Sequence, residues 1–247
     1  MSNRIGRPLA PVAALALMLA ACQAPQPAPG TMHDPYEAEN RATHEMNKRI
    51  DSAFFRGDEG GAPGPLGQAV SNVGHNLGLP RMVVNSLLQA RPAPAAKNTL
   101  RFVLNSTIGV AGIFDPAGHW FGLPEETTDF GETLHVWGVA EGNYVELPII
   151  GPSTERDTVG RVADLVLDPV TAAASLGEKA AVFALRLGAR SVDRKRYAST
   201  VDSILYESAD SYAQSRLLYL QSRRHKLGGE MTETADVFDP YEDPYAQ

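Results

Sequence analysis

Cys22 is the chain's single cysteine, and it closes an apolar run. Arg4 and Arg7 stand ahead of that run, and residues 9–21 are apolar throughout. Thirteen residues fall short of the roughly 20 a bilayer-spanning helix needs. A basic start, a short apolar stretch and small residues at its end form the pattern of a secretory signal peptide, expected over residues 1–21. One cysteine also excludes an internal disulfide framework and any multi-cysteine zinc site. Whatever fold follows must hold itself together by packing and polar pairing.

The residues at the junction, Leu19-Ala20-Ala21-Cys22, resemble the bacterial lipobox. That resemblance implies that the signal is cut before Cys22 and that the cysteine is acylated on its sulfur and its new amine. One acyl chain anchors a protein marginally, and several anchor it essentially for good. Gln23 rather than Asp at the next position favours the outer membrane, by analogy with lipoprotein sorting. Residues 22–33 then read as the acylated cysteine and a Pro-rich linker (QAPQPAPG, 23–30), and 230–247 as an acidic disordered tail without Lys or Arg. The formal charge of −7 speaks against nucleic-acid binding, which leaves a basic footprint. Most of that charge belongs to the tail, so it says little about the working surface between.

Between linker and tail the chain reads as all-α, mainly helical, with one small β-hairpin or gating loop. Asp34-Pro35 opens a helix in which Ala38, Ala42, Met46, Ile50 and Phe54 recur every four residues. A glycine-rich stretch at 57–67 breaks it. Leu66, Val70, Val73 and Leu77 start a second stripe, and Pro80 is expected to open a separate short element. Leu100, Val103, Leu104 and Ile108 mark a further helix ended by Gly109, and Asp129–Trp137 another. Around Glu141-Gly142-Asn143 the period changes, which places the hairpin or glycine-hinged loop between Val136 and Leu147. Val159, Val162, Leu165 and Val166 lie on a helix stopped by Asp168-Pro169; residues 178–206 form one long helix and 209–227 the last. No stretch beyond the signal reaches 18 apolar residues. These helices suit either the membrane interface, apolar face in lipid, or a periplasmic bundle hung from its anchor.

The residues carry no recognisable catalytic constellation. The six histidines show no metal-binding spacing, and neither a G-x-S-x-G elbow nor a phosphate loop occurs. Glu132 and His135 share a helical face but read more simply as hydrogen-bonding side chains. Asp129 reads as a cap or buried anchor, and Ser153 or Thr154 as an N-cap. Two features stand out. Arg186, Arg190 and Arg194 recur at i, i+4, i+8, with Lys195 and Arg196 beside them and Arg216, Arg223, Arg224 and Lys226 on the last helix. Such a face suits anionic headgroups or an acidic partner, or is a solvated face partly paired with Asp193. Asp34-Pro35-Tyr36-Glu37 also recurs as Asp239-Pro240-Tyr241-Glu242.

The ordered series DPYEAENR (34–41), NLGLPRMVVNSLLQ (76–89), RFVLNSTIGVAGIFDPA (101–117), DFGETLHVWGVAEGNYVELPIIGPSTERDTVG (129–160) and SYAQSRLLYLQSR (211–223) resembles the MlaA/VacJ family of phospholipid-binding lipoproteins over residues 34–229. The resemblance implies a non-enzymatic outer-membrane lipoprotein on the periplasmic side. It implies a ring-like amphipathic helical disc, without cofactor or metal, that passes mislocalised phospholipid from the outer leaflet through an amphipathic channel and so maintains lipid asymmetry. A trimeric porin and a periplasmic lipid carrier are the implied partners. The segment containing Gly138, Gly142, Asn143 and Tyr144 becomes a candidate gate, its glycines free to absorb dihedral change; a rigid structural turn is the alternative. Ala140 stands where relatives often carry another glycine, and residues 56–67 depart from the family's apolar segment. A scaffold of an outer-membrane complex that moves no lipid is the competing function.

Overall fold

The computed structural model describes residues 34–56 and 62–228. Cys22, the expected signal and linker, and the acidic tail with its second Asp-Pro-Tyr-Glu lie outside the described residues. Helix α1 spans Glu37–Ile50 and runs into a π-helical segment, Asp51–Phe55. Helices α2 (Pro65–Leu88), α3 (Pro92–Thr107), α4 (Pro116–His119) and α5 (Phe130–Val136) follow. Strands β1 (Tyr144–Leu147) and β2 (Gly151–Thr154) form an antiparallel hairpin with Tyr144 opposite Thr154 and Leu147 opposite Gly151. Then come α6 (Glu155–Leu167), α7 (Pro169–Ala173), α8 (Leu176–Arg196), α9 (Ala198–Asp202), a second π-helical segment (Ser203–Glu207) and α10 (Ser211–Lys226). The mainly helical class with one small hairpin is as the sequence implies. No described helix is long and apolar enough to cross a membrane.

Three boundaries differ from expectation. Pro80 lies inside one continuous helix, α2, instead of opening a new one. Proline removes a ladder hydrogen bond and crowds the preceding turn. The carbonyl left without its ladder donor is that of Asn76, four residues back; the Arg186 guanidinium donates to the adjoining Leu77 carbonyl at 2.7 Å. The expected 178–206 helix is broken at Tyr197, the α8 C-cap, which leaves the helical region (φ −103°, ψ 25°). Along a straight helix eight residues span about 12 Å; the break lets Asp202 fold back onto Arg194. The hairpin is shifted downstream of 136–147, with its turn at Pro148–Ile150. Residues 141–143 are instead tied to the start of α6, where the Glu155 amide donates to the Asn143 carbonyl at 3.0 Å and the Arg156 amide to the Glu141 carbonyl at 3.2 Å.

Contacts between elements close on themselves. Helix α2 lies along α3 and α8 and touches α5; α5 packs on α6; α6 meets β2; β1 rests on α1; the π-helical segment after α1 returns to α8. The α5–α6 crossing is the tightest. A Cβ built on Gly160 would stand 2.3 Å from the Gly131 amide nitrogen, and one on Gly131 would stand 2.5 Å from Asp157 Oδ1.

Arg223 of α10 fills the junction beside those glycines. It donates to Asp129, the N-cap of α5, through two bonds of 2.7 Å, and to Asp157, in the first turn of α6, at 2.8 and 3.0 Å. Tyr219 donates to the same Asp157 at 2.7 Å. Burial alone would push the Asp129 carboxyl up; the Arg223 guanidinium outweighs it and holds that carboxyl at about 2. A depressed folded-state value stabilises the fold above the ordinary carboxylate value of 3.8 and loses that effect as pH falls through about 2. Acid titration followed by tryptophan fluorescence should therefore show stability falling between about pH 4 and pH 2, with the fall reduced in Asp129→Asn. Gly160→Ala should destabilise by about 1–3 kcal/mol or more in denaturant unfolding, because two backbones must part. Wild-type stability in that variant would disprove the close crossing.

Candidate functional site

The helices are inverted relative to those of a water-soluble bundle. On α1 the residues that turn inward are Asn40 and His44, whereas Ala38, Ala42 and Met46, the stripe read from the sequence, face outward. On α3 the buried side chains include Asn98, Arg101 and Asn105, while Leu100, Val103 and the following Ile108 are exposed. On α6 the interior receives Arg156, Asp157 and Asp164, and Val162, Leu165 and Val166 are 61%, 71% and 70% exposed. Trp120, Phe121, Leu176 and Phe183 extend this outward apolar surface. Scattered exposed apolar residues are ordinary, but whole helical stripes of them mark a surface that another apolar phase covers.

Most interior polar groups are paired, as burial requires; Asn76 Oδ1 and Ser215 Oγ are buried without a hydrogen-bond partner among the described residues. Asp164 accepts from Asn85 at 2.7 Å and from the Phe130 amide at 3.1 Å, and Thr133 donates to Asn85 at 2.9 Å. Burial pushes the Asp164 carboxyl up despite Arg81 and Asn85 beside it. Asp115, which caps α4, is held by Arg101 and Asn105. His44 lies between Glu146 (3.4 Å) and Ser211 (3.1 Å).

The hairpin is fastened to α1 by two asparagines two turns apart. Asn40 accepts from the Glu146 amide at 2.8 Å and donates to the Tyr144 carbonyl at 3.2 Å, so its amide pairs with β1 as a neighbouring strand would. Asn47 accepts from the Ile149 amide at 2.6 Å and donates to the Leu147 carbonyl at 3.0 Å. Ile149 has φ of +67°, a conformation that strains a β-branched residue, and it is held there by that clamp. The sequence reading did not single out either asparagine. The signal was present as Asn40, His44, Asn47 at helical spacing, masked by the louder apolar stripe.

Of the candidate gate residues, Gly138 and Gly142 have φ of +85° and +73°. No side chain or backbone would obstruct a Cβ at Gly138, whereas Gly142 lies against Glu155. Asn143 donates to Glu155 from its amide and its side chain, each at 3.1 Å. Tyr144 is buried and donates to Glu146. The segment thus has one unencumbered joint, Gly138, and one anchored end, Gly142 to Tyr144.

The three spaced arginines of α8 do not form one free face. Arg186 pairs with buried Asp168 and Arg194 with Asp51 (2.8 Å) and Asp202. Arg190 has no carboxylate partner among the described residues and donates to the Ile150 carbonyl at 2.7 Å. Asp193 is taken by His75 and Arg196. On α10, Arg216 pairs with Asp34 at 2.7 Å, Arg224 with Glu141 at 3.0 Å, and Lys226 lies 3.7 Å from Glu132. Asp129 and Thr154 are N-caps, accepting from the Glu132 and Asp157 amides. Glu132 pairs with Arg91 at 2.6 Å and His135 lies 3.4 Å from Arg156, so these two do not converge. Asn40→Ala should cost about 1–3 kcal/mol, because it strands a buried amide and carbonyl of β1; hydrogen exchange of the Glu146 amide should accelerate with it, and unchanged protection there would count against the clamp.

Comparison with known proteins places this geometry. The model of the MlaA lipoprotein family matches residues 32–226. A protein of Rickettsia bellii is 31% identical over 197 residues, covering 78% of this chain and 76% of its own. The Escherichia coli K12 protein named intermembrane phospholipid transport system lipoprotein MlaA is 32% identical over 227 residues, covering 87% of this chain and 84% of its own. A solved structure described as the structural basis for maintenance of bacterial outer membrane lipid asymmetry superposes with a TM-score of 0.65 at 28% identity, over 79% of this chain and 99% of that one. With its fold, its motifs and nearly all of its helical part accounted for, the chain belongs to the MlaA lipoprotein family.

Proposed function

We propose that this protein is an outer-membrane lipoprotein of intermembrane phospholipid transport, which removes mislocalised phospholipid from the outer leaflet and so maintains lipid asymmetry. The observation that carries the reading is the inverted packing: apolar stripes outward, paired polar side chains inward. A phospholipid that changes leaflet must bring a charged headgroup past hydrocarbon, at a cost of several kcal/mol or more. A polar passage through a protein that is itself apolar outside lowers that cost and leaves the acyl tails in apolar surroundings. No bond need be made or broken, so the work asked of the chain is binding and positioning.

The placement follows from the same physics. Outward Leu, Val, Phe and Trp side chains seat the helices in the lipid interface, and an acylated Cys22 holds the protein at the periplasmic side of the outer membrane. A trimeric porin beside the disc and a periplasmic carrier below it would complete the route. The connector from Gly138 to Tyr144 serves as the gate, pivoting at Gly138 and guided by the hairpin it leads to. The E. coli relative's name, which specifies intermembrane phospholipid transport, supports the substrate class.

Protein extracted in detergent should carry glycerophospholipid in stoichiometric amount; a scaffold that moves no lipid should carry none specifically. Proline holds φ near −65° and cannot take the +85° seen at Gly138. Gly138→Pro should therefore change the outer-leaflet phospholipid level in cells while circular dichroism shows a folded protein. Normal asymmetry with a folded variant would refute the gate.

A further inference from the structure

Arg161 and Arg190 meet at the hairpin. They come from different helices, α6 and α8, yet both reach the hairpin: Arg190 donates to the Ile150 carbonyl at 2.7 Å and Arg161 to the Pro152 carbonyl at 3.5 Å. The two acceptors are two residues apart, a span of at most about 7 Å, and the Arg161 charge is close enough to act on Arg190. Neither has a carboxylate within ion-pair distance among the described residues, whereas Arg101, Arg156, Arg186, Arg194, Arg216 and Arg223 all do. Both residues are open to solvent. Surrounding protein nevertheless lowers the Arg190 pKa, and the nearby Arg161 charge lowers it further. Two cations left in mutual repulsion are stabilised by an anion between them. Each guanidinium carries five N–H donors and gives a single one to the hairpin, leaving a fork that suits phosphate oxygens.

The other side of the same turn is apolar. An open depression of about 470 Å³ is lined by Phe54, Phe55, Ile149, Leu187 and Gly188, a size within the range of small-molecule sites. Ile149, whose backbone is strained, lines this depression, while the next residue's carbonyl meets Arg190. Leu187 and Arg190 are one turn apart on α8. The turn of the hairpin therefore stands between a greasy hollow and an unpaired cation pair.

We propose that Arg161 and Arg190 form the phosphate-recognition pair of the lipid path, with a glycerophospholipid bound so that its phosphodiester lies between them and an acyl chain enters the depression beside Ile149. This rests on the transport reading and adds the residues that recognise the substrate. The charge requirement makes the pair indifferent to headgroup type and selective for the phosphate itself. Diacylglycerol, which has the tails without the anion, fits half of the site, and inorganic phosphate fits the other half.

The test uses the full chain in detergent, titrated calorimetrically with dihexanoyl phosphatidylglycerol, dihexanoylglycerol and inorganic phosphate. The double variant Arg161→Gln with Arg190→Gln should weaken phosphatidylglycerol binding at least about tenfold and leave dihexanoylglycerol unchanged. Arg161→Lys with Arg190→Lys should fall between, since charge remains without the fork. Leu187→Asn should weaken both lipids. Co-purified phospholipid is measured on the same preparations. If wild-type protein carries lipid and the double glutamine variant binds phosphatidylglycerol within about twofold of it, the pair is wrong and the transport reading stands. If wild-type protein carries no lipid, both fall. Inorganic phosphate bound as tightly as the phospholipid, with Leu187→Asn without effect, would overturn the lipid occupant in favour of a free-anion site.

Discussion

An interior built from charges holds this protein together, and its geometry is set by the need to pair every one of them. Arg223 joins three elements at a point where two glycines let helix backbones nearly touch. Asp168 binds Arg186, which also donates to the Leu77 carbonyl in the turn before Pro80. Asp51 gathers Arg194 and Tyr206. Removing one member of such a buried pair leaves the other uncompensated, which costs far more than the pair contributes when intact. Water-soluble bundles avoid this arrangement because apolar interiors are cheaper. It becomes reasonable when the outward surface must be apolar, since the polar residues of each amphipathic helix then have nowhere else to go.

That inversion explains what could be read from the sequence and what could not. Helical periodicity located most elements, because the stripe Val159, Val162, Leu165, Val166 has the same spacing whichever way it points. Direction is not encoded in spacing. On α1 the stripe beginning at Ala38 faces out and the quieter Asn40, His44, Asn47 series faces in. Pro80 predicts a local boundary, yet it lies inside α2, where an arginine more than a hundred residues away donates to the adjoining turn, a contact no local rule sees. Tyr197 interrupts α8 through the fold-back of Asp202, again a long-range pairing. The caps at Asp129 and Thr154 were legible because capping is local chemistry.

The hairpin shows the same division. A change of period near Glu141-Gly142-Asn143 was visible, but the strand begins three residues later, because Glu155 captures Asn143 and Asn40 supplies β1 with a substitute neighbour. The candidate gate is thus a short connector in which Gly138 stands clear of its neighbours while Gly142 lies against Glu155. The arginine series at i, i+4, i+8 separated in space into two ion-pair partners and one unpaired cation. Regular spacing in sequence did not amount to a common purpose.

Asp34 opens the described structure, and it is gripped by Arg216 and Tyr212 of α10 and by Asn40. The start of α1 is thereby fixed to the last helix of the fold, so a pull on the chain ahead of Asp34 is borne by an arginine near the opposite terminus and does not unzip α1 turn by turn.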